Sequence, residues 1–362
     1  MATADGTWGY RDRFGDSFGR TFFRRFPPGV CSSVGIGTYL GEPTDTVDDQ
    51  YRAAIETALE NGINHIDTAV NYRCQRSERV VGEVLESTDI DRDAIVVATK
   101  GGFLPFDGER PSDPGQYIRE QFVEPGIVDS DTLVRGSHSL DPNFIDAMVD
   151  QSLSNLGVET IDCYYLHNPE TQLLDVDPET VYDQLDEAFE LLERRRAAGD
   201  IGVYGLATWQ AFRVPQSHQQ YLSLPEVLDR AAAAADRVGA AEHGLQAIQL
   251  PFNVDMADAF TVDAQPTDEG LVSTLEYAHD AGLSVVTSAS IGQGDLSVAL
   301  PPAVEAELSG DTVAQRAINF ARSAPGVTTS LVGMRSVDHV AENVAAGTFD
   351  PLGAAAFDAV FE

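Results

Sequence analysis

The chain has 362 residues, 43% of them hydrophobic, and sets 58 acidic against 23 basic side chains for a formal net charge of −35. That length fits two average domains or one large α/β barrel, and the ordinary apolar fraction excludes a disordered chain. The charge excludes nucleic acid and an anionic membrane as default partners; with the acids spread along the chain, it reads as a halophile's surface, working in salt that screens it.

Residues 1–20 mix aromatic, Gly, Arg and Asp side chains without a readable pattern and are set apart as an N-terminal extension. Residues 21–362 are read as one domain. VGIGTYL (34–40) is its first strand. TVDDQYRAAIETALENG follows as a helix: Thr46 and Asp49 read as a capping box, Val47, Tyr51, Ile55 and Leu59 share a face, and Gly62 closes it. INHID (63–67), a helix over SERVVGEVLES, and AIVVATK (94–100) come next. The stretch 101–140, rich in Pro, Gly, Asp and Ser, is too long for a routine connection and reads as a lid or substrate loop.

A helix opened by Asp141-Pro142 then turns Ile145, Met148, Val149 and Leu156 inward and ends at Gly157. Strands at 160–167, 201–207, 245–250, 283–289 and 328–334 alternate with helices at 178–198, 225–240, 268–281 and 310–323, and VDHVAENVAAG is the last helix. Eight βα units with mostly apolar strands predict a closed parallel (β/α)8 barrel, whose active site lies at the strands' C-terminal ends. There is no GxGxxG of a doubly wound dinucleotide fold.

Cys31, Cys74 and Cys163 have no motif spacing, which suits a reducing cytoplasm. MATADGTWGYRDRFG lacks the apolar stretch of a signal peptide, and no run approaches membrane-spanning length. No Cys/His cluster has metal-ligand spacing, so no metal is expected. Oligomeric state is not legible.

Four side chains meet at the predicted rim. Asp67 ends the second barrel strand, Tyr72 lies in the loop beyond it, Lys100 ends the third strand and His167 the fourth. Lys100 is the one lysine in a chain that otherwise uses arginine. A phenol is a poor acid–base catalyst at neutral pH, and a nearby ammonium is expected to lower its pKa. The carboxylate keeps the lysine charged, and the imidazole donates a hydrogen bond to a carbonyl oxygen. Such a set suits proton delivery to an oxygen becoming an alkoxide. Lysine is a compact, tunable charge, while arginine is planar and forked, which accounts for the retained Lys100. His138, in RGSHSLDP, is a rival histidine in an irregular loop.

NGINHIDTAVNYRCQRSERVVGEVL resembles the aldo-keto reductase signature around a catalytic Asp and Tyr, VVATKGG its lysine strand, and SLSNLGVETIDCYYLHNPE the segment ending in its histidine. QLPFN and GMRSVDHVAEN resemble its cofactor-binding segments, and TFFRRF its barrel-plugging hairpin, so the likeness runs from about residue 21 to about 347.

The resemblance implies an oxidoreductase that passes hydride from NAD(P)H to an aldehyde or ketone, or runs the reverse reaction on an alcohol or sugar. Tyr72 would be the proton donor, helped by Lys100 and Asp67, with His167 orienting the carbonyl. Gly37, Thr38, Thr208, Gln249, Ser288, Ile291, Gly292, Gly294, Gly333, Arg335, His339, Glu342 and Asn343 would hold the cofactor, and Tyr39 and Trp209 would face the substrate. Arg335 fits a 2′-phosphate by charge and forked geometry, which favours NADP(H), with NAD(H) as the alternative.

Three positions depart from the family pattern. Ala207-Thr208 stands where Ser-Asn is common, Ser288 where a Tyr commonly stacks on the nicotinamide, and Arg73 where Gly usually follows the catalytic Tyr. Trp209 is a candidate substitute for the missing stacking ring. These departures motivate a second reading, a non-catalytic cofactor-binding barrel. A third is a lyase forming a Schiff base on Lys100.

Overall fold

The computed structural model describes residues 1–361. Strands β1 (Phe23–Phe26) and β2 (Gly29–Ser32) form an antiparallel hairpin. The barrel then runs through β3 (Val34–Gly37), β4 (His65–Asp67), β5 (Val96–Gly101), β6 (Ile161–His167), β7 (Ile201–Ala207) and β8 (Leu245–Pro251). A second hairpin, β9 (Asp263–Thr267) and β10 (Gly270–Ser273), precedes β11 (Ser284–Ser288) and β12 (Val327–Gly333). β3 to β8, β11 and β12 close into one parallel barrel, with β8 against β11 and β12 against β3. This is the (β/α)8 architecture the alternating pattern predicts.

The barrel strands are short and apolar because helices cover their outer face while side chains fill the interior. β5 is buried at all six positions. The covering helices start and stop where their caps dictate. The helix Pro178–Ala198 opens on Asp177, whose carboxylate accepts from the Thr180 N–H, and closes on Gly199 at φ 90. The helix Pro142–Leu156 buries Ile145, Met148, Val149 and Leu156 and ends at Gly157 at φ 62, as its sequence predicts.

Two local expectations are corrected. The helix Asp45–Glu60 has Thr44 at its N-cap with no side-chain cap bond, so Thr46 and Asp49 lie inside its first turns and form no capping box. The helix expected over 268–281 is shorter, Thr274–Asp280, because 263–273 pairs as the β9–β10 hairpin. Gly270, at φ 140, supplies the reversal that a helix could not.

Residues 1–20 are structured. The helix Ala4–Phe14 packs on β2 and on residues 92–94 at the barrel's N-terminal end. Tyr10 donates to the Leu59 carbonyl at 2.5 Å, and the Ala2 N–H reaches Asp162 Oδ1 at 2.6 Å. Residues 101–140 are likewise shaped, with a helix at Pro114–Ile118 that continues as a wider turn over Arg119–Val123. Bridges join Phe103 and Val134 to His138 and fold the segment back on the barrel mouth.

Candidate active site

β4, β5 and β6 are neighbours, so their last residues converge. Lys100 is fully buried and donates from Nζ to Asp67 Oδ1, to the Thr68 carbonyl at 2.8 Å and to the Tyr72 hydroxyl at 3.4 Å. Asp67 Oδ2 accepts from Gln249 Nε2 at 2.7 Å, tying β4 across the barrel to β8. The ammonium also lies 4.9 Å from the centre of the Tyr72 ring. The three donor directions of an ammonium are thus each given a partner, a convergent set that a planar guanidinium fork does not reproduce.

Burial alone would lower the Lys100 pKa, but the Asp67 carboxylate and then Tyr72 outweigh it, and the ammonium is held above its ordinary value. Burial pushes the Tyr72 phenol above its usual value, with Lys100 pulling the other way. The expected lowering of that phenol by the lysine therefore does not prevail. Desolvation of a phenolate costs more than one ammonium already shared with a carboxylate returns. Tyr72 is a protonated phenol, the form that can give a proton away.

His167 ends β6 with its ring 5.8 Å from that of Tyr72. Burial first, then the Lys100 charge and His138, hold it well below its ordinary value, so it is a neutral imidazole. It can donate one hydrogen bond without placing a second cation beside Lys100. His138 lies behind it, fully buried. The His138 Nε2–H faces the His167 carbonyl at 2.8 Å, and Nδ1 faces the Gln172 amide nitrogen at 2.7 Å. Phe103 packs edge-on to both imidazoles, at 4.8 and 5.1 Å.

These groups open onto a pocket of about 640 Å³ that crosses the barrel mouth from the ends of β4 and β6 to the loops after β11 and β12. Asp67, Tyr72 and His167 line it, as do Gly37, Thr38, Tyr39, Thr208, Trp209, Gln249 and Ser288. Farther along come Ile291, Gly294, Gly333, Arg335, His339, Glu342 and Asn343. Two residues expected at the site do not line it. Lys100 sits behind Asp67 and Tyr72, and Gly292 faces the other way, its missing Cβ directed at Leu296. Gln293, at φ 56, lines the pocket beside Gly294.

The departures from the family pattern have local accounts. The Thr208 N–H and hydroxyl both point to the Gln249 carbonyl, at 2.8 and 3.4 Å. Ser288 brings no ring, and Trp209 is 40% exposed at the rim. Arg73 does not crowd the mouth. Its side chain turns away, pairs with Asp48, donates to the Glu42 carbonyl at 3.2 Å and lies over Tyr51. To do so Arg73, Cys74 and Gln75 all take left-handed backbone, at φ 48, 57 and 69. Sequence reasoning did not single out Asn168, Phe103 or Glu170. The first has a local signal, an Asn before Pro at a strand end, and adopts φ 50. The other two have none.

The model of the Aldo/keto reductase family matches residues 33–221, more than half of the chain, and the chain belongs to that family. The D-threo-aldose 1-dehydrogenase of Pseudomonas sp is 34% identical over 163 residues, 44% of this chain and 44% of that one. The L-galactose dehydrogenase of Arabidopsis thaliana is 24% identical over 335 residues, 88% of this chain and 84% of that one. The match thus spans less than half the length of the Pseudomonas relative. Among solved structures, an aldo-keto reductase from Bacillus halodurans in its holo form superposes with a TM-score of 0.64 at 22% identity, over 94% of this chain and 96% of that one.

Proposed function

We propose that the protein is an NAD(P)H-dependent oxidoreductase that reduces an aldehyde or ketone, or oxidises the corresponding alcohol or sugar. The observation that carries this is the hydrogen-bonded chain Gln249–Asp67–Lys100–Tyr72, whose phenol faces the same pocket as a neutral His167. The dehydrogenase names of the two relatives support the same reading.

A nicotinamide cofactor held by the far pocket would supply the hydride for the carbonyl carbon; the chain's own residues manage the proton and the carbonyl oxygen. Tyr72 gives its proton to the carbonyl oxygen as negative charge develops there. Lys100 stabilises the phenolate left behind, and Asp67 keeps Lys100 charged. His167 donates a hydrogen bond that orients the carbonyl oxygen over Tyr72.

The far pocket fits the phosphorylated cofactor. Arg335 lines it, and among the described residues no carboxylate pairs with Arg335, although most arginines of the chain are paired. Gly41, at φ 112, leaves that guanidinium its space: a Cβ there would lie 3.2 Å from Arg335 Nη1 and 2.8 Å from Val47. A free guanidinium in so acidic a molecule suits a 2′-phosphate, which favours NADP(H) over NAD(H). The acidic surface and the three free cysteines support a halophilic, cytoplasmic protein.

The test is a fluorescence titration with NADPH and then NADH in multimolar KCl. Saturable binding tighter for NADPH, and turnover lost in Tyr72→Phe, is the expected result. A folded protein that binds neither would overturn the proposal.

A further inference from the structure

The backbone turns left-handed at three consecutive residues after Tyr72, and none of them is glycine: Arg73, Cys74 and Gln75 stand at φ 48, 57 and 69. That conformation is unfavourable for a side chain with a Cβ, and it persists where surrounding contacts over-determine it. Arg73 is held by its pair with Asp48. Gln75 is held by neutral hydrogen bonds at both ends of its amide, and its side chain is buried. Nε2 donates to the Phe106 carbonyl at 3.1 Å, and Oε1 accepts from Asn155 Nδ2 at 3.1 Å.

Both partners lead back to the site. Asn155 Nδ2 also donates to Glu78 Oε2 at 2.8 Å, and the fully buried Glu78 accepts at Oε1 from the Thr99 hydroxyl at 2.6 Å. Thr99 precedes Lys100 on β5. Phe106 lies three residues beyond Phe103, the ring that packs on His138 and His167. Two more contacts fasten the same stretch to the same turn: the Gly108 N–H donates to the Cys74 carbonyl at 2.9 Å, and Arg79 pairs with Asp107 at 2.6 Å. One run of hydrogen bonds thus joins the turn that carries Tyr72, the strand that carries Lys100 and the segment that backs His167. Gln75, Glu78 and Asn155 themselves stand behind the pocket and do not line it.

We propose that Gln75 is a positioning residue: its amide clamps the left-handed turn, which fixes the Tyr72 hydroxyl at Lys100 Nζ, and ties the entry of the 101–140 segment to that turn. The proposal rests on the oxidoreductase reading, in which Tyr72 is the proton donor. A donor displaced by about 1 Å can cost up to about 10²-fold in rate, so a clamp remote from the substrate still governs turnover.

Two variants separate positioning from stability. Gln75→Leu loses both amide bonds and keeps the strained backbone. Gln75→Gly loses the same bonds but adopts φ 69 freely. Each is compared with the wild type in multimolar KCl by melting curve, NADPH titration, and kcat and KM with NADPH and pentanal in H2O and D2O. Hydrogen exchange of the peptides covering 70–75 and 103–108 reads the tether without any turnover.

The expected result is that Gln75→Gly melts above Gln75→Leu while both lose kcat alike, about 10–100-fold, with NADPH affinity within about twofold of the wild type. The solvent isotope effect on kcat rises in both, because proton delivery has become harder, and the 70–75 and 103–108 amides exchange faster together. Turnover that recovers in Gln75→Gly along with the melting temperature would show that Gln75 acts through stability alone, and overturns the proposal. So does wild-type kcat in both variants, or unchanged exchange in the two segments. A wild type that turns over no carbonyl, with the two segments still opening together in the variants, overturns the oxidoreductase reading and leaves the tether standing.

Discussion

The His138 ring holds the backbone carbonyl of His167 at 2.8 Å, so the imidazole at the pocket is positioned by a second imidazole from a segment 29 residues earlier in the chain. Gln172 fixes the inner ring from the other side, at 2.7 Å from Nδ1. The long 101–140 segment is thereby fastened to the end of β6. Replacing His138 with Ala removes a buried hydrogen bond and leaves a cavity, a loss of about 2–4 kcal/mol. Thermal unfolding checks the stability, and His138→Gln is expected to recover part of it. Carbonyl turnover should fall in His138→Ala more than cofactor binding does, since His138 reaches the site only through His167.

The same contact predicts a pH dependence. Burial pushes His138 from its ordinary value of 6.5 down to about 4. Its folded value lies below its unfolded one, so the unfolded chain binds the proton more readily. Its contribution is fully present above pH 6.5 and is lost as pH falls through about 4, up to roughly 3 kcal/mol over that window. Gln does not titrate. The gap in melting temperature between the wild type and His138→Gln should therefore narrow as pH drops through that range. A gap constant with pH would show that His138 is not buried neutral.

Lys100→Arg keeps the charge and loses the geometry. The fully buried site between Asp67, Thr68 and Tyr72 cannot take the larger group without moving Tyr72. Turnover is expected to fall about 10²–10⁴-fold, the range for losing a positioned proton donor. Lys100→Met, which strands Asp67, should also destabilise the fold by about 3–5 kcal/mol. Steady-state kinetics and melting curves separate the two effects.

Arg335→Ala removes the unpaired guanidinium of the far pocket. NADPH affinity should fall about 10–100-fold, with little change for NADH, because hydrogen bonds to a charged phosphate contribute about 1.5–3 kcal/mol. Parallel titrations with the two nucleotides read this directly. Equal losses for both would place Arg335 away from the phosphate.

Three consecutive residues with left-handed backbone follow Tyr72, and they are not equivalent. Cys74, at φ 57, is half-buried and has no side-chain hydrogen bond among those described, whereas Arg73 is held by Asp48. Cys74→Gly relieves the backbone and should raise stability by up to about 1 kcal/mol. Arg73→Gly relieves the same strain but forfeits the buried ion pair, and should lower stability. Melting temperatures of the two variants are expected to move in opposite directions.

The barrel was legible because its eight strands are apolar runs spaced by helices with clear caps; Asp177 with Gly199 and Asp141 with Gly157 mark their helices by residue type alone. The β9–β10 hairpin was not, because LVSTLEYAHD carries helical periodicity into its second strand, and only Gly270 hints at a turn. At the site, the strand-end positions of Asp67, Lys100 and His167 could be read from the order of the strands. The contact of His138 with a backbone carbonyl leaves no trace in sequence, since any residue there offers the same acceptor. Nor does residue type reveal that burial outweighs Lys100 at the Tyr72 phenol. That balance depends on how much water reaches the ring.

Because Lys100 is the chain's one lysine and is fully buried, a protease specific for lysine has a single target peptide bond, after Lys100, and meets it only when β5 leaves the barrel. Cleavage then yields two fragments, 1–100 and 101–362, and nothing else. Their rate of appearance is a clock for barrel opening. Any ligand that fills the mouth should slow that clock, whether or not it is turned over.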